Sequence, residues 1–344
     1  MRILITGGAG FIGSAVVRRA LAAGHVVITY DAMTYAASPN TLLDQMSAPH
    51  HHFVRGDICD GARLAQVFAR YYPDIVMHLA AESHVDRSID GPEAFVKTNV
   101  MGTCTLLQAA RTYWIGQGRP DGFRFHHIST DEVFGSLGED GVFDEDTKYA
   151  PNSPYAASKA ASDHLVRAWG KTYDLPIVVS NCSNNYGPYQ FPEKLIPVTI
   201  LNALAGSPIP IYGTGENIRD WLFVDDHAQA LLTVACRGRL GQTYAIGGDT
   251  QVSNLELVYH ICGILDKIQP KNRPYSAQIM HVTDRPGHDY RYAVDAGRIQ
   301  TELGWHPQTS LAQGLAQTVQ WYLANRPWWH PLQAAAITRL GQVA

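Results

Sequence analysis

Cysteine is scarce in this sequence. Five cysteines are scattered through 344 residues, and no two form a CxxC pair. A disulfide framework or a thiolate zinc site needs closer, paired spacing. We therefore expect free thiols and a cytoplasmic protein. The histidine run at 50–52 has no carboxylate or thiolate at ligand spacing, so we expect no metal.

The sequence also lacks long runs of one residue class. No stretch reaches the roughly 18 apolar residues of a membrane helix, and the short apolar run at the start does not resemble a signal peptide. No Lys/Arg run occurs, and the formal net charge is -4. We therefore expect neither a membrane nor a nucleic acid as partner. A hydrophobic content of 46% allows a large core.

The first half alternates apolar strand patterns with helical patterns, which indicates a parallel sheet covered on both faces. The predicted strands are 2–6, 25–31, 51–57, 74–80, 123–129 and 176–182. The fold class is therefore α/β, a Rossmann-type doubly wound sheet with a smaller, C-terminal mixed α/β lobe. We predict a dinucleotide-binding domain over 1–185, with later segments returning to the sheet, a second lobe over 186–325, and a tail over 326–344.

A glycine-rich turn follows the first predicted strand and opens a helix. Gly7, Gly10 and Gly13 would let a pyrophosphate approach the helix N-terminus. Asp31 ends the second strand, where an acid meets the adenosine ribose and repels a 2′-phosphate, so we predict NAD rather than NADP. A turn-capping role is the alternative for Asp31. The predicted cofactor contacts in this half are Gly7, Gly10, Phe11, Ile12, Gly13, Asp31, Thr34, Asp57, Ile58, Leu79, Ala80 and Ala81.

A candidate catalytic pair lies in the stretch PNSPYAASK. Asn152 or Ser153 caps the predicted helix, and Tyr155 and Lys159 are four residues apart on one face. A lysine ammonium there should lower the tyrosine pKa. A tyrosinate beside NAD oxidises an alcohol, and the hydroxyl of Thr130 can bond the same oxygen. An exposed pair on a surface helix is the alternative.

Two adjacent acids, Asp131 and Glu132, follow Thr130 at the end of the fifth predicted strand. Successive strand residues point to opposite faces, so both acids reach one pocket only if the chain turns there. Two carboxyl groups in different environments can divide acid and base roles. A solvated loop with a capping Asp is the alternative.

Seven motifs together resemble the dTDP-glucose 4,6-dehydratase family of the extended short-chain dehydrogenase/reductases. They are GGAGFIGS, HLAAESHVDRS, ISTDEVFG, YAASK, NNYGPYQFPEKLIP, IRDWLFVDDHA and DRPGHDYRY, and the resemblance covers roughly residues 1–325. It implies an NAD-dependent hydro-lyase of deoxysugar biosynthesis. Tyr155 would start oxidation at glucose C4, Glu132 would remove the C5 proton, and Asp131 would protonate the C6 hydroxyl as it leaves.

The resemblance also implies further contacts and a homodimer. The implied cofactor contacts are Ser83, Thr98, Tyr155, Lys159 and Asn185. The implied substrate contacts are Ser83, Arg87, Thr130, Asn184, Lys194, Leu195, Pro210, Ile211, Tyr212, Arg219, Asn254, Asp284, Arg285, Pro286, Gly287 and His288. The family dimerises through the helix holding Tyr155 and the helix around 98–113, and two-fold dimers are the commonest assembly.

Three departures and two rival functions accompany the resemblance. Phe134 replaces the family's tyrosine, the segment 136–153 is shorter than in many relatives, and the tail beyond 325 has no match. A 4-epimerase, or a dehydratase of a UDP- or GDP-sugar, is one rival; an epimerase needs neither acid. A non-catalytic dinucleotide-binding module is the other, and it would have no need of the tyrosine, lysine and acids. The choice of thymine over uracil follows from the resemblance alone.

Overall fold

The computed structural model describes residues 1–333. The strands are β1 (Arg2–Thr6), β2 (Val26–Asp31), β3 (His51–Arg55), β4 (Ile75–His78), β5 (Arg124–Thr130), β6 (Ile177–Cys182), β7 (Asn184–Tyr186), β8 (Ile209–Tyr212), β9 (Ile218–Phe223), β10 (Thr243–Ile246), β11 (Gln251–Ser253) and β12 (Ile279–Val282). The helices are α1 (Phe11–Ala22), α2 (Gly61–Tyr71), α3 (Val85–Asp90), α4 (Pro92–Phe95), α5 (Thr103–Gly116), α6 (Pro154–Tyr173), α7 (Leu195–Ala205), α8 (Val224–Arg237), α9 (Asn254–Ile268), α10 (Gly297–Leu303), α11 (Leu311–Ala324) and α12 (Arg326–Gln333). Short 3₁₀ helices at Pro39–Gln45, Asp131–Phe134 and Tyr275–Gln278 and a π-helical turn at Val96–Gly102 complete the described elements.

Seven parallel strands form the main sheet, in the order β10-β6-β5-β4-β1-β2-β3. The chain runs outward from β1 to β3 and then crosses to β4 on the other side of β1. Ligands of open α/β sheets bind at such a reversal, beyond the carboxyl ends of the strands. The turns after β1 and β4 therefore face the position expected for a cofactor.

Helices cover both faces of this sheet and enclose one apolar core on each. On one face α1 and α8 pack together, with Val16 and Leu231 fully buried. On the other face α2, α5 and α6 bury residues such as Phe68 and Leu106. Coverage on both faces explains why the strands read as continuous apolar runs.

A smaller lobe contains the remaining strands. A three-stranded sheet has the order β11-β9-β7, and β12 pairs with β8 in a separate parallel ribbon. Helices α7, α9 and α11 supply its core, which includes Ile200, Ile261 and Leu315. Between β9 and β11 the chain returns to the main sheet through α8 and β10.

The predicted fold class is confirmed, and the six predicted strands are present with ends within two residues of the predicted bounds. The two shortest strands, β7 and β11, have three residues each, and so short a run has no measurable alternation in sequence. The domain bounds at 185 and 325 remain predictions.

The predicted tail includes α12, which packs back onto the first half of the chain. Trp328 is buried and its indole N–H donates to Thr41 Oγ1 at 3.1 Å. Its ring also lies edge-on to Tyr189, with centroids 5.5 Å apart. Residues 334–344 of the predicted tail lie outside the described residues. Within residues 1–333, no helix is both long and apolar enough to cross a membrane.

Phe134 and the segment 136–153 are tied into the protein by packing and by backbone hydrogen bonds. The Phe134 ring is buried against Phe143 and Tyr149, with centroids 5.1 and 5.3 Å away. The amides of Leu137 and Phe143 donate to the carbonyls of Arg291 and Ala293 at 3.0 and 2.8 Å. This segment therefore crosses over the region after β5.

The substitution Gly314→Ala tests the packing of the lobe. An added Cβ at this α11 glycine would overlap the hydroxyl of the fully buried Tyr186. Overpacking of this kind destabilises by about 1–3 kcal/mol. We expect the free energy of unfolding in denaturant to fall by that amount.

Gly263→Ala is the matched control for Gly314→Ala. Gly263 also lies inside a helix, but an added Cβ there meets no atom within 4 Å. Alanine should raise the free energy of unfolding by about 0.5–1 kcal/mol at this position. Equal gains at both glycines would contradict the packing described here.

Candidate active site

The turn after β1 has the close packing that a dinucleotide requires. Gly7 has φ +71°, and an added Cβ would lie 2.7 Å from the backbone nitrogen of Ala80. A Cβ at Gly13 would overlap the Gly7 carbonyl oxygen. Gly10 caps α1 without a side-chain bond, so the first-turn amides of the helix face outward. The residues of this first turn line a cavity, so their amides are available to a pyrophosphate.

Asp31 is buried at the end of β2 and anchors this turn. Its carboxylate accepts hydrogen bonds from the amides of Ala9 at 2.9 Å and Met33 at 2.8 Å. Burial raises the pKa of Asp31, and these two hydrogen bonds oppose the rise. Asp31 therefore caps a turn and also lines the cavity described next.

A cavity of about 350 Å³ opens beside the turn and runs along the carboxyl ends of the strands. Its lining includes these predicted cofactor residues: Gly7, Gly10, Phe11, Ile12, Gly13, Asp31, Thr34, Ile58, Leu79, Ala80, Ala81, Ser83, Thr98, Tyr155, Lys159 and Asn185. Asp57 is the exception, because it is exposed and its carboxylate accepts from the Cys59 amide at 2.9 Å. The glycine cradle and outward amides fit a dinucleotide cofactor.

The predicted catalytic pair is buried at the floor of this cavity. Ser153 caps α6 by accepting from the Ala156 amide at 3.1 Å, with Pro154 in the first turn. Lys159 donates from Nζ to the Ile128 carbonyl on β5 at 2.9 Å. This hydrogen bond fixes one face of α6 against the strand that ends in Thr130.

The sequence analysis predicts that Lys159 lowers the pKa of Tyr155, but in the structure this pKa is raised. Burial, followed by the charge of Glu132, raises the pKa of Tyr155 well above its usual value. A hydrogen bond with Thr130 opposes this rise. Burial also lowers the pKa of Lys159, which the negative charge of Asp163 counteracts. Spacing on a helix predicts proximity, but it carries no information on burial.

Asp131 and Glu132 reach one site because β5 ends in a 3₁₀ turn. Thr130 caps this turn by accepting from the Glu132 amide at 3.3 Å, and its hydroxyl donates to Asp131 Oδ1 at 3.2 Å. Both side chains line the large cavity with Tyr155. The turn supplies the change of direction that a straight strand would lack.

The two acids have different surroundings. Asp131 is 1% exposed, and its Oδ2 has no hydrogen-bond partner among residues 1–333. Burial and the charge of Glu132 raise the pKa of Asp131 well above the usual range. Burial also raises the pKa of Glu132, but the cations Arg285 and Lys194 oppose the rise. Asp131 is therefore suited to hold a proton, and Glu132 is suited to accept one.

A second cavity, of about 190 Å³, meets the first at Glu132. Ten of the predicted substrate residues line it: Asn184, Lys194, Leu195, Pro210, Ile211, Tyr212, Arg219, Asn254, Arg285 and His288. Ser83 and Thr130 line the first cavity instead. The two cavities together form a continuous site between the sheet and the lobe.

Four predicted substrate residues line neither cavity. Arg87 packs its guanidinium over the Tyr35 ring at 3.6 Å and pairs with Glu193 at 3.4 Å. Asp284 is bonded to His288 Nδ1 at 2.7 Å, while Pro286 and Gly287 lie in the same loop.

Arg219 lines the second cavity, but its guanidinium donates to carbonyls of its own lobe. The donors at Nη1 and Nη2 bond Ile218 O at 2.8 Å and Asp289 O at 2.9 Å. The guanidinium also lies 4.3 Å from the centre of the Tyr292 ring. The loop around 289 therefore holds this cation in place at the cavity wall.

The residues of the second cavity that the sequence analysis missed include three with ionisable side chains. Asp86 accepts from Tyr212 at 3.0 Å and Arg285 at 3.2 Å, so it links α3 to the lobe. His84 caps α3, and Glu193 is nearly buried beside it. All three lie within motifs already quoted, HLAAESHVDRS and FPEKLIP. Their proximity in sequence to predicted site residues is the signal that could have found them.

Metal-ligating side chains do not cluster in residues 1–333: no group of three or more His, Cys, Asp or Glu is placed to hold an ion.

Comparison with known proteins gives consistent matches over the whole site. A family model described as GDP-mannose 4,6 dehydratase matches residues 4–318. The dTDP-glucose 4,6-dehydratase of Salmonella typhimurium is 56% identical over 348 residues, with 98% of this chain and 96% of that protein covered. The crystal structure of dTDP-glucose 4,6-dehydratase from Streptomyces venezuelae, solved with NAD bound, is 47% identical with a TM-score of 0.88, covering 96% of this chain and 100% of that one.

Epimerases are similar at a greater distance. The Thermus thermophilus UDP-glucose 4-epimerase, in complex with NAD, has a TM-score of 0.84 but is 27% identical, covering 94% of this chain and 100% of that one. The fold is therefore shared by both reaction types, while identity is higher with the dehydratases.

Asp131→Asn tests whether the buried acid holds a proton. The folded chain keeps this proton at pH values where the unfolded chain has released it. The wild type should therefore lose stability as pH rises from the ordinary Asp range towards the raised pKa. Near neutral pH the variant should be more stable than the wild type, by about 1.4 kcal/mol for each pH unit by which folding raises the Asp131 pKa. This gain should disappear in acid.

Denaturant unfolding across pH measures this difference. Asp144→Asn is a control of opposite sign, because a hydrogen bond from Thr147 lowers the pKa of this exposed carboxyl. That variant should lose stability near neutral pH and not in acid. If Asp131→Asn showed no gain near neutral pH, the carboxyl would be ionised in the folded chain.

Proposed function

The chain belongs to the dTDP-glucose 4,6-dehydratase family, and we propose that it converts dTDP-glucose to dTDP-4-dehydro-6-deoxy-glucose with NAD as resident cofactor. The reaction releases one water and has no net redox change. The observation that carries the proposal is the pair Asp131–Glu132 in the same cavity as Tyr155. A 4-epimerase has no use for a buried acid with an adjacent base.

Tyr155 acts first, as the base for the glucose C4 hydroxyl. The positive charge of Lys159 and the hydroxyl of Thr130 favour the phenolate form against the effect of burial. When bound, NAD would accept a hydride from C4 and later return it to C6. The Gly7–Gly13 turn and the first turn of α1 would hold its pyrophosphate.

Glu132 and Asp131 then divide the elimination of water. A ketone at C4 makes the C5 proton acidic, and Glu132 takes it. Asp131 gives its proton to the C6 hydroxyl, and the C6–O bond breaks to release water. With a hydride that bound NADH would supply to C6, Glu132 returns a proton to C5, which leaves the 4-keto-6-deoxy sugar. The raised pKa of Asp131 suits the acid role, and the cations near Glu132 oppose the rise that burial causes in the pKa of that carboxyl.

The second cavity would hold the nucleoside diphosphate. Lys194, Arg219 and Arg285 place three cations on its wall, and cations of this kind suit diphosphate oxygens. Ile211, Tyr212 and His288 supply apolar and aromatic surfaces for the base. Because the cavities meet at Glu132, the hexose would lie between the cofactor and the diphosphate.

Asp31 favours NAD over NADP. Its carboxylate is fixed at the cavity wall by the Ala9 and Met33 amides. A negative group at this position can accept hydrogen bonds from ribose hydroxyls and repels a 2′-phosphate. The fold and charge of the chain are compatible with a cytoplasmic enzyme that does not bind nucleic acid.

A homodimer through α6 and the 96–116 region completes the proposal. Val96 and Met101 are 51% and 57% exposed, respectively, in a single chain, although both are apolar. Burial of such residues favours a two-fold interface. Sedimentation should therefore give twice the mass of one chain, and Met101→Glu should shift it towards the monomer. A monomeric wild type at micromolar concentration would contradict this.

Turnover of dTDP-glucose tests the function directly. The purified protein, with NAD and no added reductant, should form a 4-keto sugar that absorbs in alkali. UDP-glucose and GDP-mannose serve as parallel substrates. Ketone from one of these alone would assign a different nucleotide, and a 4-epimer without ketone would exclude dehydration.

Two conservative variants separate the roles of the acids. Glu132→Gln should retain C4 oxidation but lose C5 hydrogen exchange with solvent, and kcat should fall by about 100-fold or more. Asp131→Asn should retain that exchange and slow the release of water. Mass spectrometry of product formed in deuterated water measures both steps. Normal exchange in Glu132→Gln would assign the base to another residue.

A further inference from the structure

Asp163 is a fully buried carboxyl that the proposed reaction does not use. It lies on α6 one turn after Lys159 and two turns after Tyr155, on the same face of the helix. Its exposed fraction is 0%, and it lines neither cavity. A buried carboxyl without a structural or electrostatic role would destabilise the fold.

Three donors converge on the two oxygens of Asp163. Oδ1 accepts from His127 Nε2 at 2.9 Å. Oδ2 accepts from the Tyr149 hydroxyl at 2.7 Å and from Asn181 Nδ2 at 3.3 Å. Burial raises the pKa of Asp163, but these hydrogen bonds and the charge of Lys159 outweigh that effect and lower it. The carboxylate is therefore an anion, and His127 carries its proton on Nε2.

Lys159 and Asp163 bond consecutive residues of β5. Lys159 Nζ donates to the Ile128 carbonyl, and Asp163 accepts from the His127 ring beside it. Two adjacent helical turns are thus fixed to two adjacent strand residues, just before Thr130. The ammonium of Lys159 is buried without a carboxylate in direct contact among residues 1–333.

Among residues 1–333, the other groups around Asp163 provide no second anion. The rings of His127 and His78 lie tilted against each other with centroids 5.2 Å apart, and burial lowers the pKa of each, so both rings are neutral. Arg167 donates to the Tyr149 hydroxyl at 2.9 Å. Burial raises the pKa of Tyr149 and of Cys182 on β6, so neither is charged.

We propose that Asp163 is the buried counter-ion of Lys159, a positioning residue that keeps the lysine protonated and holds α6 in register with β5. The proposal rests on the function proposed above for Tyr155 and Lys159. Without the Asp163 charge, the buried ammonium would lose its proton at a lower pH. Tyr155 would then lose the cation that favours its phenolate.

Asp163→Asn tests the charge while nearly preserving shape. The full chain is labelled with ¹³Cε-lysine and titrated by NMR, with and without NAD, and the Lys159 signal is assigned by its absence in Lys159→Arg. We expect the Lys159 midpoint to fall by about one pH unit or more in Asp163→Asn. This readout needs no turnover, so it can fail independently of the proposed function.

Tyr149→Phe is the matched control. It removes one hydrogen bond from Asp163 but leaves the carboxylate, so the Lys159 midpoint should stay close to that of the wild type. A fall as large as in Asp163→Asn would mean that the hydrogen-bond network as a whole, and not the charge of Asp163, sets the titration midpoint of Lys159. Asp163→Glu restores the charge and should restore the midpoint.

The pH profile of kcat gives a second readout. The alkaline limb should move to lower pH in Asp163→Asn by the same amount as the NMR midpoint, a loss of about tenfold at any pH on the limb. A uniform loss at all pH values with an unmoved limb would assign a structural role only and overturn the proposal. An unchanged Lys159 midpoint would do the same.

The wild type alone also tests the proposal if Asp163→Asn fails to fold. The counter-ion should keep Lys159 protonated over the pH range in which the enzyme turns over. A wild-type Lys159 that titrates below that range would overturn the proposal without any variant.

Discussion

The site depends on the contact between one helix and one strand, the hydrogen bond from Lys159 Nζ to the Ile128 carbonyl. It joins α6 to β5, and these two elements together carry the five predicted catalytic residues. Tyr155 and Lys159 come from the helix, while Thr130, Asp131 and Glu132 come from the strand end and the turn after it. Their mutual positions are set by packing inside the sheet rather than by a flexible loop.

The same contact explains the opposed electrostatics of the site. Buried against β5, the tyrosine and lysine are both pushed towards their neutral forms, while two carboxyl groups lie beside them. A neutral tyrosine is a poor base, and a neutral lysine has no positive charge with which to stabilise a phenolate. The site is therefore held in a working charge state by neighbours such as Thr130 and Asp163, not by Tyr155 and Lys159 alone.

Much of the fold was predictable, because parallel strands covered on both faces leave a pattern of apolar runs that helices interrupt. The glycine turn and Asp31 were predictable for a similar reason, since only certain residues allow that approach. The acids were visible as neighbours in the sequence, but their different environments were not. Asp131 is enclosed and Glu132 faces cations that are more than 60 residues away along the chain. Burial and distant charge are tertiary properties, so a motif cannot reveal them.

The second cavity also contains contacts that the sequence could not predict. Asp86 and Arg285 meet across 199 positions of sequence, so neither residue type nor spacing could pair them. Arg87 was expected at the substrate, yet its guanidinium is stacked on Tyr35 and paired with Glu193. The motif resemblance implied a substrate contact for both arginines. Only the contacts distinguish the one that lines the cavity from the one that supports its wall.

The cofactor cavity has one wall from the sheet and one from the lobe, and Lys194 joins them by donating to the Ser83 carbonyl at 3.1 Å. A dinucleotide bound there would lie between the two walls and would have to leave that position to exchange with free cofactor. A reaction that returns its own hydride has no need for such an exchange. The rate of this enzyme should then be insensitive to the ratio of oxidised to reduced nicotinamide in the cell, and supply of sugar nucleotide alone would set its flux.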